Sequence, residues 1–389
     1  MRVGILSPIA PEQIGGGYTF EQEIFSQILE LAPASRHEFV IFENFRGAKP
    51  GNRSSNFRYV SLKRPFLDRL VLRKRRFSWE HRWIDETLRA EKIAFFLNTT
   101  FEAVTLSIPF LAIVWDLEHR VQPFFPEVSA NGTWEHRESY YTQVLKRAAF
   151  VVVGTDVGKN QVQTFYNVPE DRIKILPHPT PAFALNGAPP DPNALVQYKL
   201  PPGYVFYPAQ FWTHKNHVAI LRALRHLKDE DDLRLSVVFT GSDQGNEKHV
   251  RAMADKLHLS DQVFFLGHVS RGTLKALYQN ALALCYVSFF GPENLPPLEA
   301  FGLGCPVVAA NVPGASEQLA DAAFLVDPAD EIEIARALKL FHDNKPTREN
   351  FIRRGKERAR RFTGRDFAKG LFNLLDEFES LRSTWAAKA

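Results

Sequence analysis

Stretches with the character of β-strands alternate with stretches of helical period along almost the whole 389-residue chain. The first, RVGILSP, is followed by a helical stretch at residues 18–32 and by EFVIF, and further strand-like runs lie near residues 94–97, 110–114 and 150–153. Such alternation is typical of parallel sheets whose strands are joined by crossover helices. We therefore expect an α/β fold.

A proline-rich segment separates two alternating regions. Eight prolines lie within residues 177–202, and proline is disfavoured both inside a helix and in a central strand. After this segment the alternation begins again with YVFYP, LSVVFTG, VFFLG and ALALCYV. We predict an N-terminal domain at residues 1–180, a linker at 181–202 and a second doubly wound domain at 203–362.

The end of the chain is helical in its period. Phe372, Leu375, Phe378 and Leu381 recur three or four residues apart, so they share one face of a helix. An apolar face needs a partner that covers it. We expect residues 363–389 to form a helix that packs against another part of the chain.

Composition excludes several classes of protein. Hydrophobic residues make up 45% and charged residues 24% of the chain, which is typical of a globular protein and not of a disordered one. The net charge of +4 is too small to indicate a nucleic-acid-binding protein. Cys285 and Cys305 lack the spacing of a zinc site or a disulfide framework. Neither a signal sequence nor an apolar run of about 18 residues is apparent, so we expect a cytoplasmic protein.

A glycine triplet follows the first strand-like run. Gly15, Gly16 and Gly17 precede a predicted helix, and the missing side chains let a ligand approach the backbone at a helix N-terminus. The triplet lacks the spacing of a dinucleotide fingerprint, so a flexible strand-to-helix turn is the alternative interpretation. The later GTDVGK stretch has too few residues between its glycines for a phosphate-binding P-loop.

The most informative stretch is FFGPENLPPLEAFGLGCPVVAAN, residues 289–311. A strand ends there, and a helix is predicted to begin near Pro296 or Pro297, because proline suits the first turn of a helix. Backbone N–H groups around Asn294 and Leu295 are expected to be unpaired. Together with the helix dipole, they predict a site for a diphosphate.

Glu299 is predicted to lie in the first turn of that helix. Its carboxylate can accept two hydrogen bonds from hydroxyl groups, which is a common way of binding a sugar diol. The alternative is that an acid simply complements the helix dipole there.

Several segments of the chain resemble one enzyme family. PPLEAFGLGCPVVAANVPGASEQLADAAFLVDP is similar to the donor-binding segment of retaining glycosyltransferase family 4, the group 1 glycosyltransferases. Further matches follow in order along nearly the whole chain, namely GGGYTFEQEI, WDLEHRVQPFFPE, VVVGTDVGKNQVQTFYNVPEDRIKILPHP, FYPAQFWTHKNHVAILRAL and VFFLGHVSRGTLKALYQNA. The resemblance implies the GT-B fold, in which two Rossmann-like domains flank a cleft and a C-terminal helix returns to the N-terminal domain.

The resemblance also implies roles for individual residues. Lys215 matches a lysine that binds the donor diphosphate, where a cation stabilises the charge of the departing nucleotide. Residues 294–296 match a loop that contacts sugar and phosphate through its backbone. Glu299 matches the second glutamate of the family's E-x7-E motif, which binds ribose. The triplet at 15–17 matches the glycine loop that faces the donor.

The chain departs from the family pattern at three positions. Gly291 stands where the first glutamate of the E-x7-E motif is usual, and the nearest acid is Glu293. Gln210 stands where an arginine beside the diphosphate is usual, and His214 is predicted to act as a substitute donor. Trp115 replaces the histidine of a His-Asp pair.

The polar groups left in that last loop are Asp116 and His119. With Lys215 they are the catalytic candidates, and they are predicted to orient the sugar or the acceptor hydroxyl. A capped loop with a surface histidine is the alternative interpretation.

The chemistry that the resemblance implies needs neither a metal nor a cofactor. In a retaining transferase of this fold the leaving phosphate helps to deprotonate the acceptor, so the protein stabilises the leaving diphosphate and positions two substrates. Asp229 and Asp231 lie between a predicted helix and a strand, where solvated acids are common, and we do not expect them to bind a metal.

Residues 63–92 form a strongly basic segment in which apolar residues are interleaved. Arg73, Lys74, Arg75 and Arg76 are consecutive. Such a segment can lie on an anionic membrane, so we expect peripheral contact with the inner face of the membrane. The alternative is a solvated helix packed on its own domain.

The resemblance predicts a glycosyltransferase that moves a hexose, with retention, from a nucleotide-diphosphate sugar to a saccharide or lipid-linked saccharide in polysaccharide or lipopolysaccharide assembly. GDP-mannose is preferred as donor, and UDP-sugars are the alternative. A nucleotide-sugar-binding scaffold without turnover is a rival interpretation, motivated by Gly291, Gln210 and Trp115. A related epimerase or phosphorylase is a further rival.

Overall fold

The computed structural model describes residues 1–8, 16–43, 56–62, 82–99, 107–186 and 193–385. The chain divides into two compact units. The first comprises Met1–Pro123, Val128–Pro177 and Gly364–Ala389, and the second comprises Phe124–Glu127 and His178–Thr363.

The first unit contains a parallel sheet. Its strands are β1 (Arg2–Leu6), β2 (Glu38–Glu43), β3 (Arg58–Ser61), β4 (Phe95–Asn98), β5 (Phe110–Ile113), β6 (Phe150–Val153) and β7 (Ile173–Ile175). Their order is β3-β2-β1-β4-β5-β6-β7, and neighbouring strands run parallel. This order reverses between β1 and β4, as in a doubly wound Rossmann-like fold.

The second unit contains a parallel sheet of the same class. Its strands are β8 (Val205–Pro208), β9 (Val237–Thr240), β10 (Val263–Phe265), β11 (Ala283–Tyr286), β12 (Val307–Ala310) and β13 (Ala323–Val326). Their order is β10-β9-β8-β11-β12-β13. The order reverses between β8 and β11, which pair in parallel through Ala283 with Val205 and Leu284 with Phe206. The predicted α/β class with two doubly wound domains is confirmed.

Helices connect the strands in both units. In chain order they are α1 (Gly16–Leu31), α2 (Arg82–Ala90), α3 (Glu118–Val121), α4 (Pro126–Ser129), α5 (Thr133–Arg147), α6 (Asp156–Tyr166), α7 (Ala182–Leu185), α8 (His217–Glu230), α9 (Glu247–Lys256), α10 (Arg271–Asn280), α11 (Leu295–Leu303), α12 (Ala315–Leu319), α13 (Glu331–Asp343), α14 (Lys345–Ala359) and α15 (Gly364–Arg382). Every residue of β4 and of β9 is buried, which is typical of parallel strands covered on both faces.

The helical tail consists of two helices. α14 belongs to the second unit and α15 to the first, and α15 packs against α1. A Cβ at Gly364 would lie 2.9 Å from the Gln27 side chain, so glycine lets α15 begin close to α1. Phe367 then packs edge-on against Phe20, with ring centroids 5.4 Å apart.

Both cysteines lie within the second unit. Cys285 is in β11 and Cys305 follows α11, and both are buried. Burial raises the pKa of the Cys285 thiol, and it raises the pKa of the Cys305 thiol to about 12. Among the described residues, no helix combines the length and the apolar character that spanning a membrane requires.

Candidate functional site

Two loops of the second unit leave neighbouring strands at their carboxyl ends. Lys215 lies in the loop after β8, and Asn294 lies in the loop after β11. Because β8 and β11 are adjacent where the strand order reverses, these loops meet at the topological switch point. Ligands of doubly wound sheets bind at this place. The fold therefore brings together two of the residues that the sequence predicts to contact the donor.

A short 3₁₀ turn, Thr213–Lys215, presents the lysine. The hydroxyl of Tyr207 in β8 donates a hydrogen bond to the carbonyl of Lys215, with an O–O distance of 2.6 Å. The next residue, Asn216, has a left-handed backbone with φ of 56°. Its side-chain amide donates to the carbonyls of Val287, at 3.1 Å, and Pro328, at 2.7 Å. These bonds fix the backbone around Lys215 to β8 and to the residue after β11, the two strands that flank the switch point.

Lys215, Tyr286 and Asn294 form a continuous hydrogen-bonded row. The Lys215 ammonium donates to the Tyr286 hydroxyl at 2.9 Å, and this hydroxyl donates to Asn294 Oδ1 at 3.0 Å. The ammonium also lies 5.3 Å from the centroid of the Tyr286 ring. Sequence reasoning missed Tyr286, although its place at the end of β11 was a usable signal. The row holds a cation beside the start of α11.

Gln318 of α12 holds the backbone at Asn294. Its Oε1 accepts from the Asn294 N–H at 2.9 Å, and its Nε2 donates to the Asn294 carbonyl at 3.1 Å. The expectation that the N–H of Asn294 is unpaired is therefore wrong. A glutamine side chain can satisfy both backbone groups at once because its amide has a donor and an acceptor.

Helix α11 begins at Leu295, just before the predicted start at Pro296 or Pro297. Proline does occupy its first turn, as predicted. Leu295 is buried, and Asn294 is the residue that precedes the helix, without a side-chain hydrogen bond to it.

Gly291 has a backbone that other residues rarely adopt. Its φ is +115°, and a Cβ there would lie 2.8 Å from Asn294 Nδ2. The Asn294 amide in turn donates to the Gly291 carbonyl at 2.9 Å. A glutamate at this position would strain the loop and contact Asn294, so the departure from the family pattern has a local structural reason.

Glu299 lies deep in the second unit. It stands in the second turn of α11, so its predicted place in the first turn is wrong, and the alternative explanation through the helix dipole loses its basis. The residue is 6% exposed, and the Tyr278 hydroxyl donates to its Oε2 at 2.7 Å. Burial raises the pKa of Glu299 to about 7, although the bond from Tyr278 opposes this shift.

Glu293 does not simply replace the missing glutamate. Its side chain is 2% exposed, and its Oε1 accepts from the backbone N–H of His178 at 2.6 Å. Burial raises the pKa of Glu293 to about 8 and lowers the pKa of His178 to about 4. This carboxyl group fastens the first residues of the 178–363 segment to the loop after β11.

His214, which precedes the lysine, is held on two sides. The Glu127 carboxylate accepts from its backbone N–H at 2.7 Å and from its ring Nδ1. The ring stacks on Phe290 with centroids 3.9 Å apart. Burial acts to raise the pKa of Glu127, but the hydrogen bonds from His214 outweigh it, and the pKa lies below its ordinary value. Glu127 ends the WDLEHRVQPFFPE stretch, and sequence reasoning assigned it no role.

Gln210 lies in the loop directly after β8. Its side-chain amide donates to the Ser242 hydroxyl at 3.1 Å, and its Oε1 accepts from the Trp212 indole at 3.1 Å. The bond to Ser242 connects this loop to the loop after β9. The predicted contact of Gln210 with the donor stays a prediction.

Asp116 lies in the first unit, in the loop after β5. Its carboxylate pairs with the Arg137 guanidinium at 2.5 Å and accepts from the Glu118 N–H at 3.0 Å, at the start of α3. Burial acts to raise the pKa of Asp116, but the charge of Arg137 dominates and lowers it. Asp116 is therefore an ionised residue that caps a short helix.

His119 is fully buried. Its Nε2 lies 3.1 Å from the Tyr166 hydroxyl, and its ring stacks on Tyr141 at 5.6 Å between centroids. Burial, followed by the charge of Arg137, lowers the pKa of His119 to about 4. The alternative of a surface histidine is wrong, and the neutral ring in this arrangement packs within its own unit.

The glycine triplet is partly described. Gly15 lies outside the described residues, whereas Gly16 and Gly17 are the first two residues of α1. Trp115, in place of the family's histidine, packs edge-on against Phe20 of α1 with centroids 5.3 Å apart. Of the basic segment 63–92, residues 63–81, including its run of four consecutive cations, lie outside the described residues.

The acids that were considered for a metal are paired with cations. Asp229 lies 2.6 Å from Arg225, and Asp231 lies 3.7 Å from Lys339. Both pairs are solvent-accessible and typical of surface ion pairs.

A separate group of metal-ligating type, His37, Asp376 and Glu379, lies in the first unit. The Arg36 guanidinium already contacts both of its carboxylates, at 2.6 and 3.3 Å.

Comparison with known sequences finds a family model that is similar to most of the second unit. Residues 197–358 match the family model described as glycosyl transferases group 1. O-antigen chain mannosyltransferase B of Escherichia coli is 25% identical over 240 residues, which are 61% of this chain and 63% of that protein. O-antigen chain mannosyltransferase RfbU of Salmonella typhimurium is 27% identical over 195 residues, 50% of this chain and 51% of that protein. The matches thus span between half and two thirds of these relatives.

Comparison with solved structures identifies the fold of the whole chain. Sucrose-phosphate synthase from Thermosynechococcus elongatus superposes with a TM-score of 0.73 at 17% identity, covering 98% of this chain and 99% of that one. The match extends over both Rossmann-like units, and it concerns the fold alone.

Proposed function

Because residues 197–358 match the group 1 glycosyltransferase model, we propose that the chain is a glycosyltransferase that transfers a hexose from a nucleotide-diphosphate sugar to a saccharide acceptor with retention of configuration. The observation that carries the proposal is the row from Lys215 through Tyr286 to Asn294 at the switch point of the second sheet. The row holds a cation where ligands of doubly wound sheets bind.

The charge of Lys215 suits the leaving group of such a reaction. When the bond between the sugar C1 and the phosphate oxygen breaks, negative charge develops on the diphosphate, and a fixed ammonium stabilises it. Tyr286 and the clamp of Gln318 on Asn294 hold the cation and the loop in place before the substrate binds. A preorganised cation of this kind lowers the barrier because little reorganisation accompanies the reaction.

The substrates themselves supply the groups for bond formation and proton transfer. The acceptor oxygen forms its bond to C1 on the face from which the phosphate departs, and the acceptor proton passes to the leaving phosphate oxygen. The protein then supplies positioning and electrostatic stabilisation without forming a covalent bond to the sugar. We assign the nucleotide ribose to Glu299 and the diphosphate to Lys215 and His214.

GDP-mannose is the donor that we favour. Both O-antigen relatives are named mannosyltransferases, and this likeness in name supports mannose. UDP-sugars are the alternative. For the acceptor we propose a saccharide, free or lipid-linked, that is extended in lipopolysaccharide or polysaccharide assembly, as the O-antigen names of the same relatives suggest.

A scaffold that binds the donor without turnover is the rival. Gly291 in place of the usual glutamate favours it, because the backbone there excludes a carboxylate. The two proposals differ in one measurable respect, since only the enzyme releases sugar from the nucleotide.

The test is a panel of nucleotides and sugars followed by an assay of turnover. Thermal unfolding is recorded with UDP, GDP and ADP and with their common sugar conjugates, in the presence of a chelator. We expect stabilisation by one nucleotide, followed by slow release of its sugar. Binding of a nucleotide without release, also with saccharide acceptors added, would favour the scaffold. Absence of binding to every nucleotide would refute both proposals.

A further inference from the structure

A positively charged cavity lies in the second unit, on α14. It has a volume of about 320 Å³ and is lined by Arg353, Arg354, Arg358 and Arg361, together with Asp321 and Glu357. A volume of this size is at the lower end of small-molecule sites. None of these residues belongs to the donor site described above.

The charges around the cavity do not balance. Four guanidinium groups face two carboxylates, so two positive charges remain uncompensated. Both carboxylates are exposed, Asp321 by 77% and Glu357 by 56%. Exposed carboxylates are screened by water and compensate neighbouring cations weakly. The cavity therefore attracts anions.

Three of the arginines lie close together in the chain. Arg354 and Arg358 are four residues apart on one side of α14, and Arg361 lies two residues beyond the end of this helix. Arg354 lies 3.4 Å from Asp321. Arg361 makes no side-chain hydrogen bond or ion pair with any residue in the part of the chain that the structure describes.

Arg358 lines the cavity and is bonded to the backbone of α12. Its guanidinium donates to the carbonyls of Glu317, at 2.5 Å, and Gln318, at 2.9 Å, at the end of α12. Partial burial and then the positive charge of Arg361 lower its pKa. The charges of Arg358 and Arg361 thus repel one another, Asp321 offsets this repulsion only in part, and a bound anion relieves it.

We propose that this cavity binds a phosphate-bearing anion. Guanidinium groups bind phosphate oxygens through paired, charge-assisted hydrogen bonds, and several arginines that converge on one cavity favour a group with more than one negative charge. The shared chemistry fits a soluble diphosphate and a phospholipid headgroup alike. The proposal does not depend on the glycosyltransferase activity.

Titration of the full chain with inorganic pyrophosphate at low ionic strength tests the proposal. We expect two sites in the wild-type protein, one at Lys215 and one in the cavity. The double variant R354Q/R361Q should weaken the cavity site by at least about tenfold, because it removes two charged donors. The matched control, R222Q/R234Q, changes the net charge of the same unit equally, and Arg222 and Arg234 do not line the cavity.

A second arm distinguishes the sources of the phosphate. Flotation with vesicles of phosphatidylcholine, with and without phosphatidylglycerol, is compared for the wild type and both double variants. Loss of pyrophosphate binding in R354Q/R361Q supports a soluble ligand, and loss of vesicle binding alone supports a lipid headgroup. If R354Q/R361Q equals its control in both assays, the proposal is overturned. K215A separates the two proposals, because it should remove only the site at the switch point.

Discussion

Glu127 accepts two hydrogen bonds from His214, one from the backbone N–H and one from the ring, although 87 residues separate them in the chain. Both bonds go to one carboxylate oxygen in a place where Glu127 is only 6% exposed. Because His214 precedes Lys215 in the same 3₁₀ turn, this carboxylate fixes the turn that presents the cation. Glu127 is therefore a positioning residue for the proposed reaction.

Removal of the Glu127 carboxylate should lower turnover. Charge-assisted hydrogen bonds contribute about 1.5–3 kcal/mol each, and Glu127→Ala loses both. We expect kcat to fall by at least about tenfold while KM changes less, because the cation is misplaced in the transition state. Glu127→Gln keeps an acceptor oxygen and should recover part of the activity. Equal kinetics in Glu127→Ala and the wild type would contradict the positioning role.

Lys215→Ala removes the cation of the hydrogen-bonded row. We expect turnover to fall by at least about tenfold, since a fixed charge that stabilises the leaving group is lost. Folding should be almost unchanged, because Lys215 is only partly buried. The control is Lys248→Ala, which removes an exposed lysine of α9 in the same unit. Steady-state kinetics of both variants test this prediction. Unchanged turnover in Lys215→Ala would exclude Lys215 from the site.

Nucleotide affinity should depend on the ionisation of Glu299. Its pKa is raised to about 7, so the carboxylate that accepts ribose hydroxyls forms as the pH rises through that value. We expect calorimetric affinity of the wild type to increase across this range. Glu299→Gln should bind the nucleotide more weakly above pH 7, by about 1 kcal/mol, with no such pH dependence. A control at a half-buried glutamate of α13, Glu331→Gln, should behave as the wild type. Unaltered affinity in Glu299→Gln would refute the ribose role.

Gly291→Ala should disturb the loop after β11. A side chain at φ of +115° is strained, and its Cβ would contact Asn294, so we expect a loss of stability of about 1–3 kcal/mol together with weaker donor binding. Gly203→Ala is a matched control, because Gly203 also has positive φ but nothing lies within 4 Å of its added Cβ. Urea unfolding and nucleotide titration compare the two. Equal donor affinity in both variants would show that the Asn294 contact is unimportant.

The buried carboxyl group of Glu293 should make stability depend on pH. Its folded pKa is raised from the ordinary 4.5 to about 8, so the folded state holds the proton more tightly than the unfolded state between these values. Its contribution to stability is complete below pH 4.5 and is lost as the pH rises towards about 8. Glu293→Gln has no such group, so its stability relative to the wild type should increase over this window. Urea unfolding at pH 4.5 and at about pH 8 measures the difference in stability between Glu293→Gln and the wild type. A difference that is the same at both pH values would contradict the prediction.

The alternation of strand-like and helical runs was sufficient to predict the fold, because each run is a local pattern. The parallel strands are short and buried on both faces, as β9 shows, and such runs stand out in the sequence. How α15 is held against α1 was not predictable in the same way. It depends on the close approach of Gly364 to α1, which is a tertiary contact.

Residues of the candidate site were predictable where they lie in recognisable sequence motifs. Lys215 and Asn294 belong to recognisable stretches, and the fold brings them together through Tyr286. Gln318 and Glu127 were missed because their partners lie far away in the sequence, and no local pattern encodes such contacts. Loop sequences likewise do not reveal burial, which distinguishes the packed His119 from the surface histidine of the alternative interpretation.

The two cysteines allow the second unit to be followed by itself during unfolding. Both thiols are buried in the 178–363 segment, one in the central strand β11 and one directly before β12. A thiol reagent added to the native protein therefore reacts only when this part of the chain opens. Labelling kinetics therefore measure the opening of the sheet in the second unit. The remainder of the chain has no cysteine and does not react with the reagent.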